Sequence, residues 1–308
     1  MGGETVLMTR RPPKVGLALG SGSARGWAHL GVIQALAEQG IRPDVICGCS
    51  IGAFVGAAVA GGDQERLHRW AESLRWKDVL ALMDVSLRGG LIKGARLMDF
   101  FERNFEDRDF SALDTPFACV ATDLPTGREV WLREGSVSQA VRASIALPGL
   151  MTPIPWDDTL LVDGGLVNPV PVSLCRAMGA DLVVAVDLGS DIVGRPWRRE
   201  VPPLPQGEES PAWPRRLLSR LGIGNGEPPP GEPNLPSIVG VLVASINIMQ
   251  VRIARSRLAG EPADVLLSPR VGHVGPLDYH RAAETISEGV AEVQRMLPAI
   301  HHAFERFG

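Results

Sequence analysis

The sequence lacks the excess of basic residues that nucleic-acid-binding proteins carry. Its 308 residues include 31 lysines and arginines against 35 aspartates and glutamates, which gives a formal net charge of -4. Affinity for nucleic acid comes largely from lysine and arginine contacts to phosphates, and such contacts need a local surplus of positive charge. We therefore exclude nucleic acid as a partner.

Cysteine is also scarce, and its positions fit neither a zinc site nor a disulfide framework. The four cysteines, Cys47, Cys49, Cys119 and Cys175, lie within apolar stretches. A chain of this length buries enough surface to fold without covalent cross-links. The pattern is typical of reduced thiols in a cytosolic protein, and we expect neither a metal nor another cofactor.

No stretch of the sequence has the character of a signal peptide or a membrane span. Residues 1–13 lack the apolar stretch of about 7–15 residues that a signal peptide contains, and Val6 stands where a myristoylation motif after Gly2 needs Ser or Thr. The uncharged segment from Val45 to Gly62 contains five glycines, which suit a turn better than a lipid-facing helix. We expect a cytoplasmic protein, and a peripheral contact with the inner face of the membrane stays open.

Strand-like and helix-like patterns alternate from residue 14 onward, which predicts an α/β fold with a mostly parallel sheet. A strand at 14–20 precedes a glycine-rich turn and a helix at 27–39, and a strand at 44–47 precedes the turn GCSIG and a helix at 53–60. Further predicted strands lie at 116–124, 128–135, 159–165, 180–189 and 263–269, and further predicted helices at 136–147, 238–258 and 279–297.

The composition predicts one domain over residues 14–308 with a flexible N-terminus at 1–13. Proline, glycine, glutamate and arginine dominate an insertion at about 194–236. Its segment WPRRLLSRL, residues 213–221, is basic and apolar, as are segments that bind anionic membrane surfaces. A solvated linker is the alternative interpretation, because the segment is too short to form a stable helix alone.

The first chemical motif is GCSIG, a G-x-S-x-G sequence between an apolar strand and a helix. In a nucleophile elbow, Gly48 and Gly52 allow a tight turn that presents the Ser50 hydroxyl above the sheet. The helix that follows directs its positive N-terminal end toward charge developing there. A small-residue turn without chemistry is the alternative.

The second motif is the loop GSGSARG, residues 20–26, between the first strand and its helix. A dinucleotide-binding loop would need a third glycine where Arg25 stands, and the next strand ends without the acid that holds a ribose. An oxyanion hole built from backbone N–H groups fits better. A plain tight turn stays open as an alternative.

The third motif is LVDGGL, residues 161–166, where Asp163 ends a predicted strand. An aspartate in this position often only caps a turn. Hydrolases with an elbow serine commonly place a histidine base after the acid. The downstream candidates, which include His273 and His280, have no motif around them, and this points to catalysis without histidine.

The three motifs occur in an order that resembles the patatin-like phospholipases. LALGSGSARGWAHLGVI, GCSIG and VDGGLVNPVPV are nearest the bacterial branch related to the esterase domain of neuropathy target esterase. The similarity runs from Lys14 to Gly189, includes ASIALPGLMTPIP, and continues through DVLLSPRVGHVGPLDYHRAAE. The resemblance implies a patatin-like three-layer α/β/α fold with a central, mostly parallel sheet and a nucleophile elbow, and it implies hydrolysis of lipid esters.

The resemblance also implies roles for individual residues. In this family serine and aspartate act as a dyad, which makes Ser50 the nucleophile and Asp163 the general base. The implied oxyanion hole consists of Gly22, Ser23, Ala24, Arg25 and Gly26, and the implied supporting glycines are Gly48, Gly52, Gly164 and Gly165. The loop departs from the run of glycines common in the family, because Ser21 and Ser23 interrupt it.

The expected reaction is a two-step acyl transfer, in which Ser50 attacks the ester and water cleaves the acyl-enzyme. An aspartate with a pKa of about 3.9 is a weak base, so we expect Asp163 in a poorly solvated cleft. A catalytically weak regulatory or scaffolding protein that retains the fold is the alternative. The particular lipid, the ester position and the oligomeric state stay open.

Overall fold

One mixed sheet organises the described part of the computed structural model, which comprises residues 11–78, 108–192 and 238–307. The predicted insertion at about 194–236, with its basic segment 213–221, lies outside the described residues, as does most of the predicted flexible segment 1–13. The strands are β1 (Val15–Leu19), β2 (Val45–Cys49), β3 (Phe117–Asp123), β4 (Glu129–Leu132), β5 (Ile154–Trp156), β6 (Thr159–Asp163), β7 (Leu182–Val186) and β8 (Val265–Leu267).

Seven helices accompany these strands in the described residues. They are α1 (Ala28–Glu38), α2 (Ile51–Ala60), α3 (Gln64–Ser73), α4 (Val137–Ser144), α5 (Val172–Ala177), α6 (Ile238–Gly260) and α7 (Ala282–Glu305). Short 3-10 turns occupy Ser23–Trp27, Phe110–Ala112, Gly164–Leu166 and Tyr279–Arg281.

The strand order is β5-β6-β3-β2-β1-β7-β8, and β4 also pairs with β3. The five strands β3, β2, β1, β7 and β8 run parallel to one another, whereas β4 and β6 are antiparallel to β3. The central strands are buried along their whole length, as their nearly continuous apolar sequences require. The predicted α/β class with a mostly parallel sheet is confirmed.

Helices cover both faces of the sheet because alternate strand residues point to opposite sides. Leu17 and Leu19 pack in a large cluster with side chains of α1, α2 and α7. Ala18 and Cys47 pack on the other face with side chains of α5 and α6. The four cysteines are buried and free of disulfides. This is the three-layer arrangement that the resemblance implies.

The predicted strands and helices are present with shifted ends, and the short elements β5, α3 and α5 were not predicted. The last helix begins at Ala282 after a 3-10 turn and continues to Glu305, past the predicted end at Leu297. Pro298 cannot donate a backbone hydrogen bond, but Ile300 and Ala303 beyond it are buried. Burial of this last turn outweighs the lost hydrogen bond.

Candidate active site

Ser50 forms the turn between β2 and α2 and is held in an unusual backbone conformation. Its φ of 55° and ψ of -123° lie outside the regions that residues other than glycine normally adopt. Such strain persists only where the surrounding structure fixes it, and it is concentrated at functional sites. The side chain is partly exposed, so a substrate can approach the Ser50 hydroxyl.

The glycines around Ser50 are required by the closeness of neighbouring backbone. A Cβ atom on Gly48 would collide with the backbone of Ala53, and one on Gly52 would collide with the carbonyl oxygen of Leu19. The elbow motif therefore packs the start of α2 directly against the end of β1. The sequence pattern predicted this turn from its local spacing alone.

Asp163 reaches Ser50 through the register of the sheet. β2 pairs with residues 117–120 of β3, and β6 pairs with residues 121–123, where Asp163 lies opposite Ala121. The C-terminal ends of β2 and β6 therefore meet beside β3, where Cys49 lies opposite Val120 and Asp163 opposite Ala121. Ser50 Oγ donates to Asp163 Oδ2 at 2.6 Å, although 113 positions separate the two residues.

The carboxyl group of Asp163 is fully buried, and this environment changes its acidity. Burial raises the pKa of Asp163 to about 6, and the hydrogen bonds from Ser50 and from the Gly165 N–H oppose that rise. The Gly165 N–H donates to Oδ1 at 2.7 Å. Asp163 therefore also caps the turn at Gly164. The two interactions are compatible, because Oδ1 accepts the capping bond and Oδ2 accepts the bond from Ser50.

Ser144 supports the elbow from behind, and the sequence motifs did not single it out. The Ser50 N–H donates to Ser144 Oγ at 2.9 Å, and Ser144 Oγ donates to the Val120 carbonyl oxygen at 2.7 Å. Ser144 is fully buried at the end of α4. A lone serine inside the apolar run of residues 143–147 was the only signal that sequence reasoning could have used.

The loop at residues 20–26 lies directly beside the elbow. A Cβ atom on Gly26 would collide with the side chain of Ile51. Gly22 and Ser23 are partly exposed, whereas residues 24–26 are buried. The Ala24 N–H donates to the Pro276 carbonyl oxygen and the Arg25 N–H to that of Gly22, both at 3.3 Å. Within the described residues, the N–H groups of Gly22 and Ser23 have no acceptor.

Arg25 connects this loop to the segment that precedes α7. Its Nε donates to the Val274 carbonyl oxygen at 2.9 Å, and its side chain is buried. Burial lowers the pKa of the Arg25 guanidinium, and the charges of Asp191 and Asp278 oppose that shift. The buried guanidinium anchors the loop through its hydrogen bond to Val274.

Tyr279, the one tyrosine of the chain, holds the same loop at Ser23. Ser23 Oγ donates to the Pro276 carbonyl oxygen at 2.5 Å, so the Tyr279 hydroxyl, 3.1 Å from Ser23 Oγ, is the donor in that second bond. The Tyr279 ring packs edge-on against Trp27 at 5.9 Å. Ser23 has a φ of 54°, and its hydroxyl contacts stabilise this left-handed conformation. No local motif had marked Tyr279.

The six histidines all lie among the described residues, and none hydrogen-bonds to Ser50 or Asp163. His29 is fully buried, its Nε2 lies 2.8 Å from the Gly20 carbonyl oxygen, and burial lowers its pKa to about 4. Its ring is therefore neutral at pH 7 and donates to Gly20. His273 pairs with Glu284 at the surface, and His280 packs against Trp76. Among the described residues, no three His, Cys, Asp or Glu side chains group as metal ligands.

A mostly parallel α/β sheet with a serine on a strand-to-helix elbow defines a class of proteins that includes several hydrolase folds. Comparison with known families narrows this class. The family model described as patatin-like phospholipase matches residues 17–176, more than half of the chain, and the chain belongs to this family. The predicted resemblance is confirmed, and the family suggests hydrolysis of lipid esters.

Named relatives agree with the family. An uncharacterized NTE family protein of Mycobacterium tuberculosis is 34% identical over 93% of this chain and 92% of its own length. Patatin-like phospholipase domain-containing protein 6 of Homo sapiens is 36% identical over 57% of this chain, which corresponds to 13% of the human protein. A solved structure, VipD from Legionella pneumophila, is similar at 14% identity and a TM-score of 0.35, over 81% of this chain and 67% of VipD.

Proposed function

We propose that the protein is a serine acyl hydrolase that cleaves lipid carboxylic esters, with Ser50 as nucleophile and Asp163 as general base. The observation that carries the proposal is the 2.6 Å hydrogen bond from the strained elbow serine to a fully buried carboxylate. The family supplies the substrate class, and phospholipids, lysophospholipids and simple esters all fall within it.

In the first step, Ser50 Oγ attacks the ester carbonyl carbon while its proton passes to Asp163 Oδ2. The oxygen that becomes negative is stabilised by backbone N–H groups of the loop at 20–26 and by the N-terminal end of α2. Among the loop residues, Gly22 and Ser23 are the proposed donors, because their N–H groups have no acceptor within the described residues. The alcohol then leaves with the proton from Asp163.

In the second step, Asp163 takes a proton from water, and the resulting hydroxide attacks the acyl-enzyme. Asp163 then returns that proton to Ser50 Oγ as the bond between Oγ and the acyl group breaks, so the fatty acid departs and both residues are regenerated. A carboxylate with a pKa of about 6 is ionised at pH 7 and is a stronger base than an ordinary aspartate. Burial thus provides the basicity that a dyad without histidine needs.

A lipid substrate also has consequences for location. We propose that the protein is cytoplasmic and makes peripheral contact with the inner face of the membrane, where its lipid substrate resides. Among the described helices, none has both the length and the apolar content needed to cross a bilayer.

The test is labelling with a fluorophosphonate probe, which reacts covalently with activated serines, followed by hydrolysis of a panel of phospholipids, lysophospholipids and nitrophenyl esters. We expect labelling of the native protein and none of Ser50→Ala. A native protein that is folded but neither labelled nor active on the panel would support the regulatory or scaffolding alternative.

A further inference from the structure

Helix α6 has an unusual composition for a helix of a protein with net negative charge. Its 23 residues include no aspartate or glutamate, and its charged residues are Arg252, Arg255 and Arg257. The part of the helix before these arginines, residues 238–251, consists mostly of aliphatic residues. A helix that is apolar on all sides is normally enclosed by other protein elements.

One face of α6 packs against the loops of the active site. A Cβ atom on Gly165, two residues after Asp163, would collide with the side-chain amide of Gln250. Ser21 Oγ of the oxyanion loop donates to Gln250 Oε1 at 3.4 Å. Ile246, Val251 and Ala254 are buried on this inner face. The position of α6 is therefore tied to both loops that flank Ser50.

The opposite face of α6 exposes large apolar side chains. Val241, Ile248 and Met249 are between 48% and 50% exposed, and Leu242, which is 41% exposed, lies at the edge of this face, where its side chain approaches Gly149. Arg252 and Arg255 are exposed as well. The successive positions 241, 248, 252 and 255 are separated by seven, four and three residues, intervals that place side chains on one side of a helix. Aliphatic side chains and arginines thus share the outer face.

We propose that the outer face of α6 rests on an anionic lipid bilayer and brings the active site to its substrate. This inference depends on the proposed function, because it takes the substrate to be a lipid. The aliphatic side chains would enter the boundary between headgroups and acyl chains, while the arginines would bind anionic headgroups. The chain as a whole has a charge of -4, so attraction to an anionic surface must come from a local patch, and α6 itself contributes arginines but no carboxylates.

Binding is best measured without hydrolysis, in the Ser50→Ala background. Co-sedimentation with vesicles of phosphatidylglycerol and phosphatidylcholine is compared with co-sedimentation with vesicles of phosphatidylcholine alone. The test variants are Ile248→Glu with Met249→Glu, the milder Ile248→Ser with Met249→Ser, and Arg252→Glu. The control is Leu266→Glu, which places one glutamate at a leucine of β8 that is 38% exposed, and it is compared with the single variants Ile248→Glu and Met249→Glu, which change the charge by the same amount. Thermal unfolding verifies that each variant is folded.

We expect the double glutamate variant to weaken binding to anionic vesicles on the order of tenfold or more, with smaller losses for the serine and Arg252 variants. Leu266→Glu should bind as the parent does. Equal losses in test and control variants, no vesicle binding by the parent, or equal binding to uncharged vesicles would overturn the proposal. So would a dimer in solution that the α6 variants dissociate, because a second copy would then cover this face. Each of these results leaves the Ser50 chemistry untouched, since ester hydrolysis is assayed separately.

Discussion

The two sides of the active site are held in place by different parts of the chain. The elbow at Ser50 is fixed by its neighbours in the sheet, through the contacts of Gly48 and Gly52 with adjacent backbone. The loop at residues 20–26, the proposed oxyanion loop, is held instead by a segment near the C-terminus, since Ser23 bonds to Pro276 and Tyr279 across 253 and 256 positions. The candidate site therefore combines an elbow serine that local contacts fix with a loop whose shape depends on distant residues.

This difference predicts that damage to the two sides will have different kinetic signatures. Loss of the nucleophile or base removes the chemistry, whereas loss of a hydrogen bond behind the oxyanion loop leaves the chemistry but loosens one of its supports. Variants on the two sides can test this separation in order of expected effect.

The largest effect is expected on the elbow side. Ser50→Ala and Asp163→Asn should each lower kcat for short-chain nitrophenyl esters by about a thousandfold or more, because nucleophile and base act as a unit. The double variant should be no worse than either single variant. Circular dichroism and thermal unfolding provide the folding control. Substantial turnover by a folded single variant would remove that residue from the proposed dyad.

On the loop side, Tyr279→Phe keeps the ring that packs on Trp27 and removes only the hydroxyl that bonds to Ser23. We expect kcat to fall by about tenfold with little change in KM, which is smaller than the loss of a direct oxyanion donor. Steady-state kinetics on a soluble ester measure both values.

The matched control replaces the residue that Tyr279 holds. Glycine adopts a positive φ without a steric penalty, so Ser23→Gly should make the loop independent of the tyrosine hydroxyl. The Tyr279→Phe change should then cost little in the Ser23→Gly background. An equal loss in both backgrounds would show that Tyr279 acts by some route other than Ser23.

The pH dependence sharpens the comparison, because the elbow side contains Asp163, whose pKa burial raises toward neutrality. Burial raises the pKa of Asp163 to about 6, and the carboxylate form is the proposed base. The value of kcat/KM should therefore be on its plateau above pH 7 and fall about tenfold per pH unit well below pH 6. Tyr279→Phe should lower the plateau without moving this limb. A shift of the acidic limb of the pH profile in Tyr279→Phe would show that the loop side influences the titration of Asp163.

The smallest effect is expected at the histidines. His273→Ala and His280→Ala should each stay within about twofold of the native kcat, because neither side chain bonds to Ser50 or Asp163. Both variants are assayed on the same soluble ester. A loss as large as that of Ser50→Ala would replace the dyad by a triad.

The same contrast explains what the sequence could predict. GCSIG and LVDGGL are local patterns in which a glycine is needed because another backbone segment lies too close for a side chain. These two patterns mark Ser50 and Asp163. The alternation of strands and helices likewise predicts the mostly parallel sheet. The placement of Asp163 opposite Ala121 depends on strand register, and the roles of Ser144 and Tyr279 depend on contacts between distant segments. No local pattern encodes such contacts.

The left-handed conformation of Ser23 also constrains how this loop can change by successive mutations. With serine at position 23, loss of the Tyr279 hydroxyl leaves a backbone conformation that costs roughly 1–2 kcal/mol for an L-residue without one of its supports. With glycine there, the same loss is nearly neutral. We therefore expect the two substitutions to be epistatic, so that their order matters. A lineage that first acquires glycine at position 23 could lose the tyrosine hydroxyl at little cost, whereas the reverse order would pass through a protein whose loop is less well supported.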